Sequence, residues 1–280
     1  TKLFEFSSIL GEPAVQFPNG AIWNLDCKHA MPRLPTEAVS AVITSPPYNI
    51  GKEYESFDSL SGYIEWSREW LSAIPRILDQ TGSFWLNIGY TKVEARGHAV
   101  PLPYLLWDKV DLFFNQEIVW NYGAGVAARK YLSPRNEKIL WYVKDPNNYN
   151  FFLDRIRDPN VKYPNQKKNG KLRCNPLGKN PSDVWQLPKV TSGKGRASPE
   201  RTSHPAQFPV SLIERIMLAS TNEGDIVLDP FMGSGTTAEV AMRLNRKFIG
   251  FEISEAYMDI ARKRLCSVEN EISAALFQTR

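Results

Sequence analysis

The sequence of this 280-residue chain predicts an α/β fold with a doubly wound, mostly parallel sheet, on the basis of two features. Short apolar runs alternate along the chain with longer segments of helical periodicity, which is the pattern of strand–helix–strand units. Most of the short runs are apolar on both faces, as expected for strands that helices cover on both sides. The length allows a sizeable core, so we expect a single domain over residues 1–280.

Each predicted strand is an apolar run flanked on both sides by turn residues. In chain order the strands are AIWNL (21–25), AVSAVIT (38–44), GSFWLNIG (82–89), QEIVWNY (116–122), EKILWYV (137–143), DIVLD (225–229) and KFIGFE (247–252). The segments between them that repeat apolar residues at three- and four-residue spacing are predicted helices. They cover residues 61–78, 103–110, 209–220, 236–244 and 254–265.

Residues 147–203 interrupt this alternation. The segment is rich in Pro, Gly, Asn and Lys and has little periodicity, so we predict an irregular insertion. Residues 155–201 hold twelve Lys or Arg and three acidic residues, and since the whole chain is +4, the remainder carries a net −5. A local basic stretch in an otherwise acidic protein indicates a surface for a polyanion, although a solvated lysine-rich loop has the same composition.

Several classes of protein are disfavoured by composition. No apolar run approaches the roughly 18 residues of a membrane span, and the N-terminus lacks the pattern of a secretory signal, so we expect a cytoplasmic protein without a membrane partner. Three cysteines, Cys27, Cys174 and Cys266, are scattered without a CxxC pair. We therefore predict free thiols, no disulfide framework and no metal site.

The string VLDPFMGSGTT, residues 227–237, predicts a strand, a glycine turn and a helix. Gly233 and Gly235 allow a tight turn and a close approach to a ligand, and the hydroxyl groups beside them can cap the helix. The string is not a phosphate-binding loop, because no Gly-Lys-Ser/Thr follows. Glu252 ends the next predicted strand, where its carboxylate can accept bonds from ribose hydroxyls or cap the following helix.

The string TSPPYNIG, residues 44–51, predicts a rigid turn after a buried strand. Two adjacent prolines lack amide donors and fix the backbone, which leaves carbonyl oxygens free to accept hydrogen bonds. Ser45 Oγ and the Pro46 carbonyl can thus hold both N–H groups of an exocyclic amine, and Tyr48 offers a flat face for a base. Taken alone, the string is also compatible with a structural proline turn that packs a tyrosine.

Together and in this order, the two strings resemble those of the amino-directed DNA methyltransferases of the beta class, whose catalytic motif precedes the cofactor motif. The resemblance extends over about residues 21–265 and includes RTSHPAQFP (201–209) before the cofactor strand. It implies the fold of the S-adenosylmethionine-dependent methyltransferases, that cofactor, and no metal.

The resemblance assigns roles residue by residue. Ser45, Pro46, Pro47 and Tyr48 carry over as catalytic. The cofactor-binding positions are Asp26 and Cys27 near the adenine, Glu252 at the ribose, His204, Pro205 and Gln207 near the methionine moiety, and Asp229, Pro230, Phe231, Gly233, Ser234, Gly235 and Thr236 of the glycine turn. On the residues alone, a histidine such as His204 is more often structural than catalytic, and Asp26 is almost as readily a simple turn aspartate.

The resemblance implies methyl transfer to an exocyclic amine of double-stranded DNA by base flipping, typically within a restriction-modification system. Ser45 favours the N4 amine of cytosine, because adenine-directed members usually have Asp-Pro-Pro-Tyr, while adenine N6 remains an alternative. Residues 147–203 occupy the place of the target-recognition region. The sequence leaves the oligomeric state open, with a homodimer as one alternative.

Three other functions are alternatives to this one. Methyltransferases of RNA or of protein glutamine usually have the opposite motif order, and carbon-5 cytosine enzymes need a cysteine after proline, which none of the three cysteines has. A DNA-binding protein without catalysis on the same scaffold is the alternative from a different class, and it would bind DNA without methylating it.

Overall fold

The computed structural model describes residues 2–48, 59–123, 125, 127–190 and 198–278. The last three residues of TSPPYNIG therefore lie outside the described residues, as do residues 191–197 of the basic segment. The strands are β1 Val15–Phe17, β2 Gly20–Trp23, β3 Val39–Thr44, β4 Leu78–Ile88, β5 Tyr90–Val93, β6 Gly97–Pro101, β7 Phe113–Asn121, β8 Asn136–Val143, β9 Lys167–Lys168, β10 Lys171–Leu172, β11 Val184–Gln186, β12 Ile226–Asp229 and β13 Lys247–Phe251.

Helices connect and cover these strands. They are α1 Lys2–Leu10, α2 Cys27–Ala30, α3 Leu60–Leu71, α4 Ile74–Ile77, α5 Pro103–Leu106, α6 Val210–Ser220, α7 Thr236–Arg243 and α8 Glu255–Gln278, with short 3₁₀ turns at Met31–Arg33 and Leu153–Ile156.

Nine of the strands within the described residues form one sheet, in the order β1-β2-β13-β12-β3-β4-β8-β7-β11. The five neighbours β2, β13, β12, β3 and β4 are parallel, while β8 is antiparallel to both β4 and β7. The predicted doubly wound, mostly parallel sheet is confirmed. Its central strands are apolar on both faces because both faces are buried, as in β12, where every residue is buried.

A separate hydrophobic core lies on each face of the sheet. One contains α1 to α5, with Trp70 and Tyr63 of α3 among its largest buried side chains. The other contains α6, α7 and α8, with Met217, Ala241 and Leu265 buried. Helices on both faces leave only the edges of the sheet for a ligand.

The order of the chain reverses between β12 and β3. From β12 the chain crosses through α7 to β13 on one side, and from β3 it crosses through α3 and α4 to β4 on the other. At such a switch point the two connections diverge and leave a crevice at the carboxyl ends of the strands, which is where open α/β sheets bind ligands. The string TSPPY follows β3 and the glycine turn follows β12, so both begin at this crevice.

Several element predictions are wrong in detail. The predicted helix over 61–78 ends at Leu71 and resumes as the short α4, because Pro75 lacks an N–H and its ring crowds the carbonyl one turn earlier. The predicted helix over 103–110 ends at Leu106, and the Trp107 carbonyl instead accepts a bond of 2.9 Å from the Tyr142 hydroxyl. Helix α8 runs to Gln278, since Val268 and Ile272 continue its apolar face.

The structure also contains elements that the sequence did not predict. Helix α1 buries Phe6 and Leu10 in the first core, and β5 and β6 form a hairpin after β4. Strand β11 lies inside the segment predicted as irregular, pairs with β7, and buries Trp185. Within the described residues, no helix has the length and apolarity to cross a membrane.

Candidate active site

A cavity of about 500 Å³ opens at the carboxyl edge of the sheet and is lined by residues from both strings. The lining includes most of the predicted site residues, namely Asp26, Cys27, Ser45, Pro46, Pro47, Tyr48, His204, Pro205, Gln207, Pro230, Phe231, Gly233, Ser234, Thr236 and Glu252. Asp229 and Gly235 are the predicted residues outside it. The fold thus brings positions about 200 residues apart in the sequence into one cavity.

Asp229 lies beneath the cavity and joins the two strings. Its Oδ1 accepts from Thr44 Oγ1 at 2.6 Å and from the Phe231 amide at 3.1 Å, and its Oδ2 accepts from Thr237 Oγ1 at 2.7 Å. Burial raises the pKa of Asp229 to about 6, although the three hydrogen bonds act in the opposite direction. The carboxylate therefore holds β3, the glycine turn and α7 together rather than facing a ligand.

The two glycines of the turn have left-handed backbones but different surroundings. Gly233 has φ +51°, and a Cβ there would lie 3.0 Å from His204 Nε2 at the cavity wall. Gly235 has φ +80°, and a Cβ there would lie 3.0 Å from the Cβ of Ala261 in α8. Gly233 thus keeps space open at the cavity, while Gly235 allows α7 and α8 to pack closely.

Glu252 follows β13 and presents its carboxylate at the cavity. Oε2 accepts from the Gly233 amide at 2.9 Å, and Oε1 accepts from the Ser254 amide at 2.8 Å. Burial raises the pKa of Glu252, partly offset by these backbone bonds. Each oxygen can accept a second hydrogen bond, so the fixed carboxylate can bind a pair of adjacent hydroxyl groups.

Asp26 and Cys27 line the cavity after β2. Asp26 Oδ1 accepts from the Lys28 amide at 2.8 Å and caps the short helix α2. The Cys27 thiol is buried, which raises its pKa, so it remains an uncharged apolar wall. Lys28 is paired with Glu69 of α3 at 2.9 Å.

The HPAQ string forms the loop before α6, on the opposite wall. Gln207 Oε1 accepts from both the amide and the hydroxyl of Thr202 at 2.9 Å, and its Nε2 donates to the Glu200 carbonyl at 2.7 Å. The Gln207 amide group thus fixes the loop itself. The His204 ring lies edge-on to Tyr257, with a centroid separation of 4.4 Å, and both rings line the cavity.

Ser234 and Thr236 have hydroxyl groups that contact Arg264 of α8, at 3.4 Å and 3.0 Å from Nη1. Arg264 also forms a buried ion pair with Glu239 of α7. The start of α7 is therefore held against α8 by charge-assisted hydrogen bonds as well as by the close contact at Gly235.

The Ser-Pro-Pro-Tyr turn enters the cavity directly after β3. The hydroxyl of Tyr63 in α3 donates to the Pro47 carbonyl at 2.7 Å, which fixes the second proline of the turn. Ser45 Oγ lies 2.8 Å from the Tyr48 hydroxyl. Both prolines and both of these side chains face the same cavity as Glu252, so an amine at Ser45 and a cofactor at Glu252 would occupy one enclosed space.

Three polar residues that the sequence did not single out complete this end of the cavity. Asn87 at the end of β4, Glu137 at the start of β8, and Lys189 after β11 all line it. Tyr48 donates to Glu137 Oε2 at 2.9 Å, and Lys189 Nζ donates to Glu137 Oε1 at 2.6 Å. A polar residue at the end of an apolar strand was a signal for Asn87, whereas Glu137 reaches this edge only because β8 is antiparallel.

Aromatic residues of the predicted strands divide between the core and the cavity wall. Trp85 and Trp141 are buried and stacked, with centroids 4.6 Å apart, and Tyr142 is buried against Phe84. Trp120 lines the cavity.

The basic segment contains side chains that are bonded to other parts of the protein and, within the part of the chain that the structure describes, side chains that are not. The Arg155 guanidinium donates to the Thr221 carbonyl at 2.8 Å, and Arg157 pairs with Asp154 at 2.6 Å. These two arginines stabilise the protein rather than offering free charges. In contrast, Lys167, Lys168 and Lys171 are exposed on the small β9–β10 hairpin. Among the described residues, no group of three or more His, Cys, Asp or Glu side chains could hold a metal ion.

The family model and the most similar relatives point to the same protein family. The family model for DNA methylase, of the N6/N4 type, matches residues 39–263. The Type II methyltransferase M.ScaI of Streptomyces caespitosus is 55% identical over 95% of this chain and 87% of its own length. The DNA adenine methyltransferase YhdJ of Escherichia coli is 35% identical, over 86% of this chain and 80% of its own.

Solved structures agree on the fold. The PvuII DNA methyltransferase, described as cytosine-N4-specific, superimposes with a TM-score of 0.69 at 20% identity, covering 93% of this chain and 95% of that one. The M1.HpyAVI structure, a complex with S-adenosylmethionine, gives a TM-score of 0.58 at 25% identity, covering 88% and 98%.

Proposed function

The chain belongs to the N6/N4 DNA methylase family, and on that premise we propose that it transfers a methyl group from S-adenosylmethionine to the N4 amine of cytosine in double-stranded DNA. One observation carries the proposal. The Ser-Pro-Pro-Tyr turn and the glycine turn face one cavity on either side of the switch point, and the 2.6 Å bond from Thr44 to Asp229 ties them together.

The end of the cavity near Glu252 fits S-adenosylmethionine. Glu252 offers two fixed carboxylate oxygens to the ribose hydroxyls, and Gly233 leaves room where a side chain would meet His204. Phe231, Cys27 and Pro230 give apolar walls, and Asp26 lies beside them. When bound, the cofactor supplies an electrophilic methyl group on a sulfonium. The complex of the related M1.HpyAVI with this cofactor supports the assignment.

The Ser-Pro-Pro-Tyr turn acts on the target amine. The lone pair of an exocyclic amine is delocalised into the ring, so it is a poor nucleophile. Ser45 Oγ and the Pro46 carbonyl accept its two N–H groups, which favours a tetrahedral nitrogen and stabilises the positive charge that develops. The acceptors are in place beforehand, so the reaction needs no covalent enzyme intermediate. The base leaves the helical stack to reach them, and the ring of Tyr48 packs against it.

Ser45 is the basis for choosing cytosine. A hydroxyl accepts from either amine, so adenine N6 is the second candidate, and the 35% identity with the adenine methyltransferase YhdJ favours it. The PvuII enzyme, described as cytosine-N4-specific, has the same fold. At 20% identity this likeness concerns the fold alone and does not distinguish the two bases. Similarity to Type II methyltransferases favours a role in a restriction-modification system.

DNA recognition is assigned to the segment 147–203. The exposed lysines of the β9–β10 hairpin are free of ion pairs among the described contacts and can contact phosphates, whereas Arg155 and Arg157 are engaged within the protein.

Identification of the product tests this function. The protein is incubated with methyl-labelled S-adenosylmethionine and plasmid DNA from a host without DNA methylation, and the DNA is then digested to nucleosides for mass spectrometry. We expect labelled N4-methyldeoxycytidine. Labelled N6-methyldeoxyadenosine would keep the family chemistry and overturn the choice of base, and DNA that binds the protein without taking up label would indicate a binding protein on a methyltransferase scaffold.

A further inference from the structure

We propose that Glu137 receives the proton that the target amine loses, through a relay of Ser45 and Tyr48. The inference rests on the proposed function and extends it to a residue that the sequence did not single out. As the amine nitrogen bonds to the methyl carbon, the carbon leaves the sulfur, which keeps the bonding electron pair. One N–H proton then passes to Ser45 Oγ, the Ser45 proton passes to Tyr48 Oη, and the Tyr48 proton passes to Glu137 Oε2.

The hydrogen bonds around Tyr48 determine the direction of this relay. A tyrosine hydroxyl has a single proton, and the carboxylate of Glu137 at 2.9 Å is the best acceptor for it. Tyr48 Oη therefore accepts from Asn87 Nδ2 at 2.8 Å and from Ser45 Oγ at 2.8 Å, while the Asn87 backbone carbonyl at 3.3 Å is a longer second acceptor for the Tyr48 proton. Because the Ser45 proton points at Tyr48, the lone pairs of Ser45 are available to accept from an amine in the cavity.

Asn87 holds the relay in place. Its Nδ2 donates to Glu137 Oε2 at 2.9 Å as well as to Tyr48 Oη, so it fixes the proton donor and the proton acceptor of the last step together. Burial raises the pKa of Tyr48 well above its ordinary value, and the nearby Glu137 raises it further. Tyr48 therefore stays protonated and can pass a proton on without ionising.

Glu137 is placed to be the end of the relay. Glu137 is 8% exposed. Its direct hydrogen-bond partners are Tyr48, Asn87 and Lys189. Tyr122 and Tyr90 interact with its charge at longer range. Lys189 forms an ion pair with Glu137, and the Lys189 ammonium also lies 3.9 Å from the centre of the Tyr122 ring. A methylated aromatic amine that has given up its lone pair is a strong acid, so a carboxylate paired with a cation is a sufficient acceptor.

The pH dependence of methyl transfer tests the relay. Single-turnover transfer of labelled methyl groups to the unmethylated plasmid is measured from pH 4 to pH 9 for the wild type, Glu137→Gln and the control Glu117→Gln. Glu117 lies on the neighbouring strand β7, outside the cavity lining, near Lys138 at 3.9 Å. We expect Glu137→Gln to lower the rate about 10²-fold and to lose the fall in rate at acid pH that a titrating carboxylate produces. The control should match the wild type.

A second variant separates proton acceptance from structural support. In Lys189→Met the carboxylate remains but loses its cation, and a carboxylate without a nearby cation is protonated more readily. The fall in rate at acid pH should therefore move to higher pH. If Glu137→Gln does not bind S-adenosylmethionine, the pH profile of Lys189→Met alone tests the relay. A profile shifted to higher pH supports the relay, and an unshifted profile overturns it.

Failure of the relay and failure of the proposed function give different results. Wild-type protein that places no label in DNA contradicts methyl transfer itself. The relay alone is overturned if the wild type labels DNA and Glu137→Gln keeps a rate within about threefold of the wild type, with the same fall in rate at acid pH.

Discussion

Asp229 shows how one buried carboxylate can organise a site without facing a ligand. The sequence assigned it to cofactor binding by resemblance, and the structure places it beneath the cavity, bonded to Thr44, Thr237 and the Phe231 amide. These contacts connect the two adjacent strands at the switch point and the first turn of α7. We infer that Asp229 acts on the cofactor through the position of the glycine turn.

The raised pKa of Asp229 predicts a pH effect on stability. Its pKa is about 6 in the folded protein against a usual 3.8, so the folded state holds this proton more tightly. The stabilisation is complete below pH 3.8 and is lost as the pH rises through about 6. Relative to Asp229→Asn, the wild type should therefore gain on the order of 1 kcal/mol of unfolding free energy between pH 7 and pH 5. Urea denaturation of both proteins at both pH values measures this, and a difference that is constant or of opposite sign contradicts it.

At the scale of elements, the turn between β12 and α7 combines two functions in three residues. Gly233 faces the cavity and Gly235 faces α8, although both have left-handed backbones. A motif of this kind can therefore lose function in two ways, either by closing the ligand space or by separating two helices. Sequence alone cannot distinguish them, because both glycines match the same pattern.

A matched pair of substitutions separates the two roles. Both Gly233→Ala and Gly235→Ala place a side chain on a left-handed backbone, at a shared cost of about 1–2 kcal/mol. The Gly235 variant should lose further stability, because its Cβ would press on Ala261, while its folded fraction binds S-adenosylmethionine as the wild type does. The Gly233 variant should instead bind the cofactor more weakly. Thermal unfolding and titration calorimetry measure the two quantities, and equal effects of both variants on affinity would refute the distinction.

The sheet as a whole explains which parts of the site were predictable. Parallel strands end at one edge of the sheet, so Ser45 after β3 and Glu252 after β13, both named from the sequence, lie at the same edge and line one cavity. Glu137 was missed because it begins its strand. Only the antiparallel pairing of β8 with β4, in the register Ile88 to Lys138, brings it beside Asn87. Pairing direction is a tertiary property that the alternation of residues does not encode.

Other differences arise from local signals and from packing. Pro75 accounts for the break between α3 and α4, although the apolar periodicity continues across both helices. Strand β11 was not predicted because its three residues, Val184–Gln186, are too few to show an alternation of apolar and polar residues. Its position in the sheet is determined by pairing with β7. Arg155 and Arg157 contributed to the basic segment in composition, yet their partners are other parts of the same chain.

We propose that one cavity at the switch point holds two sites with separate tasks, and Ser45→Ala tests this division most directly. Calorimetric titration with S-adenosylmethionine and single-turnover methyl transfer are measured on the same preparation. Because the proposed function places the amine at Ser45 and the cofactor at Glu252, we expect transfer to fall by about 10²-fold or more while cofactor affinity stays within about threefold. Cofactor affinity that falls as much as transfer, or transfer that does not fall, would contradict the account.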